Sequence, residues 1–212
     1  MGIVALVMAG GKATRMNSEV EKPLLDVGGK PMIQRVLETL CDSADVDRIL
    51  TAVTKNTPQT TRIAGELRCD VVLTPGNGYE SDMKYAIKER HLDDTLVVSA
   101  DLPFITTEIM NRAIRAYHSS GRPALSVMTL VETYTRLGSQ PQYVFEIGGR
   151  RLVPIGVNII DGSRIDEPEL EEEVLVVESE ELALNVNTPR DLELARERYE
   201  MAETAPDDGR PK

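Results

Sequence analysis

Apolar residues fall into two alternating rhythms over the first 130 positions. Ile3–Met8 is an unbroken apolar run ahead of a glycine pair, which predicts a short strand buried on both faces. Pro31 then opens the stretch MIQRVLETLC. Its apolar positions Ile33, Val36, Leu37 and Leu40 recur with the helical period. The same change of rhythm repeats three times. Arg48–Val53 reads as a strand and Pro58–Leu67 as a helix, Val71–Leu73 as a strand and Tyr79–Arg90 as a helix. Thr95–Ser99 reads as a strand, followed by a helix capped at Thr106 that runs to about Tyr117. Ala124–Leu130 is a fifth strand. Strictly alternating strands and helices predict a Rossmann-like, three-layer α/β fold, with a mostly parallel central sheet and helices on both faces.

Beyond Leu130 the pattern loosens. Gln142–Ile147, Gly148-Gly149 and Arg151–Val153 suggest a hairpin, with further strands at Val157–Ile160 and Val174–Val177. Thr188-Pro189 starts a last helix ending near Met201. No stretch has the composition of a linker, so residues 1–202 are expected to form a single domain. Residues 203–212 form a polar tail expected to fray.

Composition narrows the partners. The 212 residues carry a net charge of -11, with no Trp, two Phe and six Tyr, which argues against a base-stacking nucleic-acid surface and against an anionic membrane partner. The N-terminal apolar run is too short to span a bilayer, so no membrane insertion is expected. Cys41 and Cys69 lie in no metal-binding spacing, which fits a reduced, cytoplasmic setting. The charge is uneven: residues 1–36 hold five basic against three acidic residues, whereas residues 161–212 hold 17 acidic against six basic. The cations therefore concentrate around the glycine pair.

Ligands of open parallel sheets bind beyond the carboxyl ends of the strands. Four polar loops follow those ends: Gly10-Gly11-Lys12-Ala13-Thr14-Arg15, Lys55-Asn56-Thr57-Pro58, Pro75-Gly76-Asn77-Gly78-Tyr79 and Ala100-Asp101-Leu102-Pro103. Gly10 and Gly11 let backbone N–H groups face an anion, and Lys12 and Arg15 add charge. The loop matches neither a P-loop nor a dinucleotide fingerprint. The competing reading of these residues alone is a tight strand-to-helix turn with two solvated cations. Pro23 biases Lys22 toward an extended conformation. Asp101, where the fourth strand must end, can hold Mg2+ through its oxygens or serve as a turn aspartate. Asn158, Asn185 and Asn187 lie near strand ends, each a cap or a further metal or acceptor contact. No nucleophile–base constellation occurs. That suits a phosphate-monoester nucleophile, already largely ionised near neutral pH and in need only of positioning and charge screening.

Leu6-Val7-Met8-Ala9-Gly10-Gly11-Lys12-Ala13-Thr14-Arg15-Met16, with Glu21-Lys22-Pro23-Leu24, resembles the signature of the nucleotidyltransferases. That family includes molybdenum-cofactor guanylyltransferases and sugar-1-phosphate uridylyltransferases. The resemblance runs on through Ser99-Ala100-Asp101-Leu102-Pro103 and Asn185-Val186-Asn187-Thr188-Pro189-Arg190-Asp191-Leu192. Asn56-Thr57-Pro58-Gln59-Thr60 and Gly76-Asn77-Gly78-Tyr79 are most similar to the archaeal guanylyltransferases of cobalamin synthesis. The resemblance implies GTP as donor, adenosylcobinamide phosphate as acceptor and Mg2+ as cofactor. By the same token Gly10, Gly11, Lys12, Thr14 and Arg15 would hold the triphosphate. Lys22 would screen the α-phosphate, Asp101 would bind the metal, and Asn56, Thr57 and Gly78 would lie near the nucleoside. Arg15, Lys22 and Asp101 form the expected catalytic set. The competing readings are another phosphorylated acceptor, such as molybdopterin or a sugar phosphate, and a non-catalytic nucleotide sensor. The pattern allows a homodimer without requiring one.

Overall fold

A computed structural model describes residues 2–11, 16 and 20–204. In chain order the strands are β1 (Ile3–Met8), β2 (Asp26–Val27), β3 (Lys30–Pro31), β4 (Val46–Val53), β5 (Asp70–Leu73), β6 (Asp94–Ser99), β7 (Ala124–Leu130), β8 (Phe145–Ile147), β9 (Arg150–Asp161) and β10 (Glu172–Val176). The helices are α1 (Met32–Cys41), α2 (Pro58–Glu66), α3 (Tyr79–Glu89), α4 (Thr107–Ser120), α5 (Val131–Leu137), α6 (Glu180–Ala183) and α7 (Pro189–Thr204). Eight strands form one sheet in the order β10-β7-β9-β6-β1-β4-β5, with β8 paired to the outer part of β9. β5, β4, β1 and β6 run parallel, β9 is antiparallel to both β6 and β7, and β10 runs parallel to β7.

The period-two rule explains why β1 is apolar throughout. Ala5 and Val7 point into one core, shared with Ile33, Val36, Leu37 and Leu40 of α1 and with Met110 and Ala113 of α4. Leu6 points into the other, shared with Met83, Ala86 and Ile87 of α3. Helices therefore cover both faces, as the alternating rhythm predicts. A third cluster joins Met16, Leu25, Val27 and Met32 to Val186, Leu192 and Ala195, and so fastens α7 to the β2–β3 ribbon.

The C-terminal half corrects the sequence reading. The separate strands expected at 151–153 and 157–160 are one 12-residue strand, β9. Pro154 and Gly156, which lie between the two expected strands, mark a register irregularity, where β7 steps from Ser126 to Met128 while β9 steps from Asn158 to Pro154. Gly156 has φ +86 and lies so close to Ser99 that an added Cβ would come 2.8 Å from its Oγ. Helix α5 was not read from the sequence, because Leu130 at its start makes no side-chain cap; its only clear signal is the C-terminal Gly138, at φ 68.

Because β9 runs against its neighbours, its early residues lie at the rim where β6 and β7 end, as the pairings Val98 with Val157 and Leu130 with Leu152 show. Among the described residues no helix is long and apolar enough to cross a membrane. Leu96 sits in β6 at the centre of the sheet and is 0% exposed. Leu96→Ala should lower stability by about 2–5 kcal/mol in urea unfolding.

Candidate functional site

At the end of β6 the chain cannot drift. Ala100 donates its N–H to the Met8 carbonyl, the Asp101 carbonyl accepts from Val186 N–H, and Leu102 is buried. Asp101 is thus held between the sheet and the segment leading into α7. Its Oδ2 accepts from Lys22 Nζ at 2.5 Å, and the same ammonium donates to Asn187 Oδ1 at 2.8 Å. Asn187 Nδ2 in turn donates to Asn185 Oδ1 at 2.9 Å. The Lys22 and Asp101 side chains are 16% and 17% exposed, so the pair is largely shielded from water but opens on a cleft. Asp101 Oδ1 is buried and has no hydrogen-bond partner among the described residues.

Lys22 is aimed by its neighbour. Glu21 reaches the first turn of α2, where its carboxylate accepts from Gln59 N–H at 2.8 Å, from Thr60 N–H at 2.7 Å and from Thr60 Oγ1 at 2.6 Å. An acid there satisfies otherwise unpaired helix N–H groups and complements the positive end of the helix dipole. Lys22–Leu24 follows as a single 3-10 turn with Pro23 buried. Glu21 therefore pins the start of that turn, and Lys22 can project to only one place.

Asn187 is fixed in a similar way by Asp191. That carboxylate accepts from Asn187 N–H at 3.1 Å, from Thr188 N–H at 2.8 Å and from Ser139 Oγ at 2.8 Å. Thr188 and Asp191 exchange bonds as a helix-start box for α7.

Two lobes of one depression meet at this cluster. The first, of about 570 Å3, is lined by Gly10, Gly11, Lys22, Gly76, Asn77, Gly78, Tyr79, Asp82 and Asp101. Gly10 is packed so tightly that a Cβ would come 2.5 Å from Thr54 Cγ2, while Thr54 Oγ1 donates to the Gly10 carbonyl at 2.9 Å. A Cβ added at Gly11 would meet nothing within 4 Å among the described residues, and Gly11 lines the cleft. Asp82, which the sequence reading passed over, shapes the opposite wall. It is buried, and its Oδ1 accepts from Gly76 and Asn77 N–H. The sequence signal was an acid in the first turn of α3.

The second lobe, of about 930 Å3, lies on the far side of Asp101, toward β8, β9 and the start of α7. Both lobes include Tyr79, Ser99, Asp101 and Asn187. Tyr79 as a whole is 43% exposed, while its hydroxyl is hydrogen-bonded with Ser99. Desolvation pushes that hydroxyl up to about 12, with Asp101 adding to the shift and Ser99 opposing it. Desolvation likewise raises Tyr134 to about 12, helped by Asp191 and Asp101. Both phenols stay neutral near pH 7.

Of the residues singled out from sequence, Gly10, Gly11, Lys22, Gly78 and Asp101 come together. Lys12, Thr14 and Arg15 lie outside the described residues. Asn56 and Thr57, expected near the nucleoside, are not among the residues that line either lobe. Thr57 is buried, and its hydroxyl bonds Thr54 within the turn, while Asn56 is exposed beside it. The turn supports Gly10 through Thr54 instead of presenting side chains to a ligand. Among the undecided asparagines, Asn187 and Asn185 join the Lys22–Asp101 network. Asn158 accepts from Ser126 Oγ and lines the second lobe.

A protein-family model described as the MobA-like NTP transferase domain matches residues 5–154. The chain is 34% identical over 201 residues to an adenosylcobinamide-phosphate guanylyltransferase of Methanocaldococcus jannaschii, a match covering 90% of this chain and 94% of that protein. It is 31% identical over 130 residues to the bifunctional protein GlmU of an Exiguobacterium species, covering 60% of this chain but 28% of that one. Among solved structures, a CMP:2-keto-3-deoxy-manno-octonic acid synthetase complexed with CTP superposes with a TM-score of 0.75 at 16% identity, covering 96% of this chain and 99% of that one. Molybdopterin-guanine dinucleotide biosynthesis protein A of Archaeoglobus fulgidus superposes with a TM-score of 0.68 at 18% identity, covering 94% and 100% of the two chains. At such identities these structures speak to the fold alone.

The Glu21 clamp can be checked without an activity. Glu21→Ala should cost about 1–2 kcal/mol of stability and speed amide exchange at Gln59 and Thr60. Unchanged exchange at those two amides would show that the clamp holds nothing in solution.

Proposed function

Because the chain belongs to the MobA-like NTP transferase family, we propose that it transfers GMP from GTP to adenosylcobinamide phosphate, releasing pyrophosphate. The observation that carries this reading is the 34% identity to the Methanocaldococcus jannaschii guanylyltransferase, which spans nearly the whole of both chains. The site's geometry supports it. One basic and one acidic side chain meet at the junction of two lobes, a suitable place for a donor phosphate and an acceptor phosphate to meet.

In this reading GTP lies in the first lobe, its phosphates along Gly10 and Gly11, with Lys12, Thr14 and Arg15 contributing from the same loop. Gly78, at φ 118, keeps the opposite wall clear of side chain. An oxygen of the acceptor phosphate attacks the α-phosphorus. The bond from that phosphorus to the oxygen bridging toward the β-phosphorus breaks, and pyrophosphate leaves with the electron pair. The attacking monoester is already ionised, so no general base is required. Lys22 holds its ammonium at the reacting centre and screens the charge there. Asn187 and Asp101 hold Lys22 in place.

Mg2+ fits the donors present. Asp101 Oδ1 is a buried carboxylate oxygen with no partner among the described residues, and Mg2+ is commonly held by one or two carboxylates plus substrate phosphates and water. Among the described residues no group of three or more His, Cys, Asp or Glu could form a metal cage. A site of that kind would thus be completed by the nucleotide. Bound there, the ion would neutralise the charge on the phosphates. We further read residues 1–202 as one cytoplasmic working unit, since a single sheet takes strands from both halves of the chain.

Pyrophosphate release from GTP, ATP, CTP and UTP, each tested against adenosylcobinamide phosphate and molybdopterin, should be greatest for GTP with the corrinoid. Release with molybdopterin alone would reassign the acceptor, and no release with any pair would favour a sensor. Asp101→Asn should lower kcat by about 100- to 1,000-fold with the fold intact; near-wild-type turnover in Mg2+ would remove Asp101 from the mechanism. Lys22→Ala should lower kcat more than it raises KM for GTP, whereas a pure KM effect would make it a ground-state binder. Chelation of divalent ions should abolish turnover and restored Mg2+ should recover it.

A further inference from the structure

Half of this chain's eight aromatic residues face one cleft. Tyr79, Tyr134, Tyr143 and Phe145 all line the second lobe. Two of them stand in the open, Tyr143 just ahead of β8 at 60% and Phe145 at its start at 48% exposure, although large apolar surface left in water is unfavourable. They are two residues apart at the entry to β8, and both line the lobe.

The polar part of the lining is as selective. Gln140, Gln142, Asn158, Asn185 and Asn187 bring five carboxamides, while the described lining includes no Lys, Arg or His. Its charged groups are the acids Glu80, Asp101 and Asp191. This wall suits a flat, apolar body with amide groups at its edge and a neutral or positive charge, and it repels a polyanion. The volume of about 930 Å3 is near the top of the range for small-molecule sites and exceeds what a monosaccharide needs.

We infer that the second lobe holds the body of the acceptor, with Tyr143 and Phe145 as its stacking platform and the carboxamides as partners for its peripheral amides. The inference rests on the proposed acceptor, whose corrin ring is a flat macrocycle edged with carboxamides and bearing a cationic cobalt centre. With the ring on this platform, its phosphate arm is directed toward Asp101 and Lys22 at the junction.

The experiment compares wild type with Tyr143→Ala, Phe145→Ala and the double variant, using adenosylcobinamide phosphate as probe. The double variant should raise the corrinoid KM by about tenfold or more, while the Kd for GTP is unchanged, and Tyr143→Phe should restore most of the loss. An unaltered corrinoid KM in the double variant, with wild type active, overturns this inference alone. So does a fall in sedimenting mass, which would make the hairpin a contact between copies of the chain. If wild type does not turn over the corrinoid, the proposed reaction fails and this inference falls with it.

Discussion

Everything about this site depends on an ammonium and a carboxylate that are 79 residues apart in the chain and 2.5 Å apart in space. Lys22 comes from an irregular loop and Asp101 from the end of the central strand. Asn187, the third member, comes from the approach to the last helix. A long, flexible lysine would ordinarily wander, and ordering it has an entropic cost. Here the cost is met by neighbours on both sides: Glu21 fastened to the start of α2, and Asp191 fastened around Asn187. The surrounding scaffold serves largely to make one charge pair stay where it is.

The pair also divides the depression in two. The walls on the β1 side are backbone-rich and glycine-rich, with side chains such as Thr54 and Asp82 supporting the loops from behind. The walls on the β9 side are rich in side chains, aromatic and amide. The first kind suits phosphate oxygens, which take N–H donors and tolerate no crowding. The second suits a larger organic body with its own shape. One charged junction between two such surfaces is the arrangement that transfer between two bound molecules demands.

The first 130 residues were largely legible in the sequence because β1, β4, β5, β6 and β7 are local apolar runs separated by helices with a clear period. Lys22 and Asp101 were legible too, through flanking prolines and a strand end. What escaped has a common cause. Asp82 and Thr54 act through backbone groups of other loops, and nothing in their own neighbourhood announces that. Asn56 and Thr57 read as ligand contacts in a rim loop, yet the Thr57 hydroxyl bonds back to Thr54 and Asn56 is exposed away from the cleft lining. β9 was read as two strands because Pro154 and Gly156 ordinarily end a strand, whereas here they bend one. The hairpin aromatics carry no period at all. They become visible only once β9 places them beside a cleft built from distant parts of the chain.

The reversed direction of β9 has an evolutionary corollary. The described residues on the β1 side, apart from the shared Asn187, all come from the first 101 positions, whereas the far wall is drawn mainly from positions 134–191. The two walls are thus written in consecutive chapters of the chain, meeting at the charge pair. A lineage could rewrite the second chapter, by lengthening the hairpin or exchanging its rings, and inherit the first unaltered. That is one physical route by which a single fold comes to be shared by proteins whose names speak of such different molecules.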